Sequence, residues 1–135
     1  MSADSSCWID NSEITKVKKI YRIKGGLVGM AGDIHSIMKF IKWAKDGWDE
    51  DEFPENSCLE AIAVDPQGRV TLWEGAAYCP VPLRAPYTAI GAGTDYALGA
   101  MFAGATAEMA VRAAIKHNAK CSGPVSTYRL FPNLL

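Results

Sequence analysis

Histidine is scarce in this sequence: His35 and His117 are the only two among 135 residues, and they stand in different segments. The four cysteines, Cys7, Cys58, Cys79 and Cys121, form no C-x-x-C or C-x-x-x-H spacing. A zinc site would need ligands gathered from distant places, so the expectation is buried small apolar thiols, no metal, no cofactor and a reducing compartment. Charge of one sign is also lacking. Fourteen Lys and Arg against fifteen Asp and Glu leave a net charge of -1, which provides no general attraction to nucleic acid or to an anionic membrane. The polar start Met1-Ser-Ala-Asp-Ser-Ser stands where the apolar centre of a secretory signal would begin. The least charged stretch, Ala85 to Ala107, is interrupted by Pro86, several glycines and Asp95, and reads as a strand, a turn and a small-residue helix rather than a span. A cytoplasmic protein is expected. No G-x-S-x-G elbow, internal repeat, low-complexity tract or long linker is present.

What is there is an ordinary core-forming composition, 49% hydrophobic and 21% charged. A chain of this length buries roughly two thirds of its unfolded surface, and residues 1–135 are read as one domain. Met1 to Ile9 look extended, and Asp10-Asn11-Ser12 marks a turn. From Lys16 to Lys24 the residues alternate strictly, with Lys16, Lys18, Ile20, Arg22 and Lys24 on one face and Val17, Lys19, Tyr21 and Ile23 on the other. Gly25-Gly26 suits a tight hairpin turn, and Leu27 to Ala31 is the return strand. A helix follows, capped by Asp33 and stopped at Gly47, with Ile34, Ile37, Met38 and Ile41 as its apolar stripe and Phe40 and Trp43 widening it. Asp46 to Glu55 holds six of the fifteen acids and reads as a surface loop. Strands at Cys58–Val64 and Arg69–Trp73 are joined by the turn Asp65-Pro66-Gln67-Gly68. A strand at Tyr87–Ile90, two helices separated by Gly104 with Thr106 capping the second, and a strand at Val125–Phe131 complete the chain. The order predicts an α+β architecture with mainly antiparallel strands.

Few residues point to chemistry. Lys19, between Val17 and Tyr21 on the apolar face, is either taken out of water, which calls for a carboxylate partner, or snorkels from an edge strand beside Lys18. Asp4 is either that carboxylate or a solvated acid near the start of the chain. Gly91-Ala92-Gly93 forms a strand-to-helix glycine turn that could present N–H groups to an anion. Tyr96 stands where a dinucleotide fingerprint needs its third glycine, and close helix packing accounts for the glycines equally well. The basic run from Lys16 to Lys24 has Tyr21 as its only aromatic and reads as a solvated face or a subunit contact rather than a nucleic-acid groove.

Several short segments, in order over nearly the whole chain, resemble the proteasome-type N-terminal nucleophile hydrolases. The nearest likeness is to the HslV-type peptidase and its phage and prophage relatives. The segments are Met1-Ser-Ala-Asp-Ser5, Val17-Lys-Lys-Ile20, Gly26-Leu-Val-Gly-Met-Ala-Gly-Asp33, Asp65-Pro-Gln-Gly-Arg-Val-Thr-Leu72, Ala89-Ile-Gly-Ala-Gly-Thr-Asp-Tyr-Ala-Leu-Gly-Ala100 and Ser122-Gly-Pro-Val125. The resemblance implies a four-layer α/β/β/α sandwich and peptide hydrolysis by an N-terminal threonine. It places Asp4 and Lys19 at the family's catalytic aspartate and lysine, where they orient one another and lower the pKa of the nucleophile. It also places Gly29 at the oxyanion N–H and Leu27 at the specificity pocket. Asn118, Ser122, Gly91 and Gly93 fall at supporting positions, with Ala92 where the family has a serine.

The family's first strand, which carries the threonine, has no counterpart here. Ser2, two residues before Asp4 on the same strand, cannot stand in the threonine's position without rearrangement. The resemblance therefore leads to the expectation of a peptidase-type subunit that is inactive as this chain, or alternatively a noncatalytic assembly subunit of phage or prophage origin. Implied partners are copies of itself, in a ring or otherwise, an unfoldase ATPase, and a peptide substrate if active.

Overall fold

In the computed structural model, which describes residues 1–9 and 12–130, Lys24 and Gly25 turn the chain with φ angles of 50° and 82°. A two-residue hairpin needs this pair of left-handed conformations, and here it joins β4 (Ile20–Ile23) to β5 (Gly26–Gly32). Gly26 serves a different need from its neighbour. A Cβ there would lie 2.3 Å from the Val64 carbonyl oxygen, so only glycine lets the facing strand approach.

The chain forms two compact units, Tyr21–Arg84 and Met1–Ile20 with Ala85–Leu135. In the first, β5 continues through α1 (Ile34–Asp46) to β6 (Leu59–Val64), β7 (Val70–Glu74) and β8 (Val81–Pro82). The strands form one sheet in the order β4-β5-β6-β7-β8, with β5 to β8 antiparallel neighbours. Asp33 caps α1 by accepting the Ser36 N–H at 2.9 Å, and Gly47 closes it with φ 122°, as the residue types predict. The Ser36 hydroxyl donates to Asp33 at 2.7 Å and accepts the Cys58 N–H at 2.9 Å, tying the helix start to the strand that follows it in sequence. The helix buries Ile37, Phe40, Ile41, Trp43 and Ala44 against Val28, Met30, Ala61 and Trp73. Trp43 stands in an edge-on ring contact with each of Trp48, Phe53 and Trp73 at 4.9–5.3 Å, the tilted geometry aromatic quadrupoles favour. Its indole N–H donates to the Asp49 carbonyl at 2.7 Å.

In the second unit, β1 (Ser2–Ala3) pairs antiparallel with β9 (Ser126–Thr127), and β2 (Ser6–Ile9) with β3 (Ser12–Lys16). Helices α2 (Thr94–Phe102) and α3 (Ala107–His117) pack on each other, and β1 lies beside α3. Gly104, at φ 99°, separates the helices, and the Thr106 hydroxyl caps α3 by accepting the Met109 N–H at 3.2 Å.

Four sequence expectations are corrected. Lys16 to Lys24 is not one strand: β3 ends at Lys16, β4 begins at Ile20, and the two lie in different sheets. Just past Lys16 the Val17 N–H bonds the Ser5 carbonyl at 2.8 Å, one more rung toward β2, so the chain is still paired with β2 and has not yet entered β4. Ile34 and Met38 are 47% and 57% exposed, because the large Phe40 and Trp43 rings set which side of α1 faces the sheet. No strand forms at Tyr87–Ile90. The edge place beside β7 is taken by β8, where Pro82 needs no ladder N–H. The last strand is only Ser126–Thr127, matching its two-residue partner β1. Phe131 and the Asp10-Asn11 turn lie outside the described residues.

Candidate functional site

Asp4 sits in the bend between β1 and β2, and Lys19 in the connection from β3 to β4. Their side chains meet at 2.8 Å between Lys19 Nζ and Asp4 Oδ1, with only 18% and 15% of each exposed. Lys19 is therefore withdrawn from water and answered by a carboxylate, while Lys18 beside it is exposed.

The other carboxylate oxygen is held as firmly. Asp4 Oδ2 accepts the Ser6 hydroxyl at 2.7 Å, the Ser122 N–H at 3.1 Å and the Ser6 N–H at 3.4 Å. Burial alone would raise this carboxyl's pKa. The hydrogen bonds from Lys19 and Ser6, the Lys19 charge and the Ser122 amide outweigh it and hold the group below the usual carboxylate range. Ser122 faces both ways: its amide serves Asp4, and its hydroxyl donates to Glu13 and accepts from Lys16, each at 2.5 Å. Lys16 and Glu13 are themselves ion-paired. Next to Ser122, burial pushes the Cys121 thiol up, the Asp4 charge adds to the effect and the Lys19 charge opposes it. Cys121 is thus kept as a thiol, the unreactive form.

Asn118, Gly91 and Gly93 gather one step away. Asn118 donates from Nδ2 to the Ala92 carbonyl at 2.8 Å and accepts the Lys120 N–H at 2.9 Å, joining the glycine turn to the segment that carries Ser122. The Thr94 hydroxyl donates to the Gly91 carbonyl at 2.7 Å. A Cβ on Gly93 would lie 2.7 Å from the Ala114 Cβ and 3.0 Å from Cys121 Sγ, so this glycine serves close packing against α3. Gly29 and Leu27 belong to the other unit. Both are buried on β5, in register with Ile62 and Val64 of β6.

The structure thus brings Lys19 and Ser122 each into direct contact with Asp4, with Asn118, Gly91 and Gly93 as the surrounding frame. Sequence reasoning missed the Ser6 hydroxyl, Glu13, Lys16 and Cys121. The first had a signal, a serine two residues after an aspartate. The others reach the site through chain reversals that spacing does not reveal.

No protein-family model matches the chain, and no curated protein matches it in sequence. Solved structures do. BPH of Thiobacillus denitrificans in complex with Epoxomicin aligns over 97% of this chain and 92% of that one, with TM-score 0.72 at 18% identity. The same protein described as BPH alone gives TM-score 0.69 over 98% and 92%. Eukaryotic HslV from Trypanosoma brucei gives TM-score 0.70 at 15% identity over 93% and 88%. The chain has the HslV fold. The expected α+β class and proteasome-type architecture are those found, and at these identities the likeness is one of fold. Within the HslV fold of this chain the buried Asp4–Lys19 pair is the most chemically distinctive feature, and no helix among the described residues is long and apolar enough to cross a membrane.

Proposed function

We propose that the chain is a proteasome/HslV-type peptidase subunit in which Asp4 and Lys19 form the charged support of the reacting centre. The observation that carries this reading is the buried 2.8 Å ion pair between them, on the two residues where the resemblance expects it. In such a site Lys19 supplies a fixed positive charge that lowers the pKa of a nucleophile, and Asp4 holds the ammonium in place. Within the Tyr21–Arg84 unit the resemblance further assigns Gly29 an oxyanion N–H and Leu27 a pocket role. Asn118, Ser122, Gly91 and Gly93 would keep the supporting loops in register.

Ser2 is not the nucleophile of such a site in this structure. The hydroxyl that reaches Asp4 is that of Ser6, and the Ser2 hydroxyl is engaged with that of Thr127 at 2.8 Å across β1 and β9. The test is turnover of a fluorogenic peptide: Lys19→Ala is expected to abolish it and Ser2→Ala to leave it, and turnover that survives in Lys19→Ala overturns the reading.

A second reading, a noncatalytic assembly subunit, is favoured by the full occupancy of Asp4. Both of its oxygens already have partners inside the chain, so the pair serves the fold without a substrate. In either reading the partners are further copies of the chain, and an unfoldase ATPase in the first.

A further inference from the structure

The Ser6 hydroxyl is asked to do two things at once. Its oxygen lies 2.7 Å from Asp4 Oδ2 and 2.6 Å from the Lys120 carbonyl oxygen. Both neighbours are acceptors when Asp4 is ionised, and a serine hydroxyl has one proton to give. The carboxylate is the stronger acceptor because it is charged. The proton then lies toward Asp4, and the Lys120 oxygen faces a lone pair. Ser6 is 5% exposed, so water does not readily take over either contact.

Protonation of Asp4 resolves the conflict. A proton arriving from solvent on Oδ2 is donated to Ser6 Oγ, and the serine's own proton turns to the Lys120 carbonyl. Two protons then serve two short oxygen–oxygen contacts. Oδ2 keeps a lone pair for the Ser122 N–H, and Oδ1 still accepts from Lys19. No bond other than these O–H bonds and hydrogen bonds changes.

We propose that Ser6 is a positioning residue for the Asp4–Lys19 pair, its hydroxyl proton pointing to Asp4 when the carboxylate is charged and to the Lys120 carbonyl when it is not, so that Oδ1 stays on Lys19 in both states. The catalytic meaning of this device rests on the peptidase reading above, but the device itself is independent of turnover. The charged and titratable groups facing Asp4 are Lys19 from the β3–β4 connection and the Cys121 thiol from the segment after α3. Glu13 and Lys16 of β3 reach the site through the Ser122 hydroxyl, and Glu13 also feels the Asp4 charge directly.

Carbon-13 NMR of the full chain tests this. In the wild type the Lys120 carbonyl shift is expected to move in step with the Asp4 carboxyl shift as pH is lowered. In Ser6→Ala the Lys120 response disappears while Asp4 still titrates, and Ser6→Thr restores it. A wild-type Lys120 carbonyl that stays constant through the Asp4 titration overturns the proposal, as does a response that survives in Ser6→Ala. Should acid unfold the chain before Asp4 titrates, exchange of H2O for D2O at neutral pH gives the same information. An isotope shift at the Asp4 carboxyl that is reduced in Ser6→Ala supports the proposal, and one at the Lys120 carbonyl instead overturns it. Peptide turnover enters neither readout, so the peptidase reading stands or falls separately.

Discussion

At the scale of single residues, the molecule turns on one carboxylate that is buried and still charged. Removing its counterion in Lys19→Ala leaves Asp4 desolvated with only neutral donors. The expected cost is about 1.5–3 kcal/mol of stability, read from urea denaturation at neutral pH. The sign of the pH dependence follows from the depressed Asp4 pKa. A carboxyl whose folded pKa lies below its unfolded value stabilises the fold above the unfolded value, and that contribution fades as pH falls through the folded one. Wild-type stability is therefore expected to drop on acidification below the ordinary aspartate value of 3.8. Lys19→Ala, starting lower, loses less over the same window, and parallel denaturation curves across pH show whether the two lines converge. Alternation in the sequence could assign Lys19 to a face but could not say what came to meet it. Its partner lies fifteen positions away, across a break between two sheets. The residues alone left Asp4 as that partner or as a solvated acid, and the resemblance chose between them.

At the scale of elements, end signals were the most legible feature because they are local chemistry. Asp33, Gly47, Thr106 and Gly104 each stop or start a helix as their side chains or lack of one dictate. The strands were less legible: an extended connection continues the period of two through Val17 to Lys19, so the pattern hid where one sheet ended. Two glycines near α2 separate packing from propensity. At Gly93 a methyl group collides with Ala114 and Cys121, whereas at Gly99 it meets nothing within 4 Å. Gly93→Ala is expected to destabilise by about 1–3 kcal/mol. Gly99→Ala, inside a helix, is expected to stabilise by up to about 1 kcal/mol. Opposite shifts of the denaturation midpoint check the pair, and a loss in both variants rejects the distinction.

At the scale of the whole molecule, the fold was read from the order of short segments, and the solved structures agree with it over 97% of the chain. Self-association is the expectation the structure of one copy leaves to solution measurement. Light scattering is expected to give a mass that is a multiple of 14.6 kDa, and a monomeric mass at all concentrations rejects it. One feature of the Tyr21–Arg84 unit gives this unit its own spectroscopic voice. Three of the four tryptophans, Trp43, Trp48 and Trp73, lie with ring centroids 5.0–5.8 Å apart. Indoles at that separation couple their electronic transitions, so circular dichroism should carry an exciton signal from this cluster. Its disappearance during unfolding would time the loss of one unit, while the Asp4 carboxyl resonance follows the other.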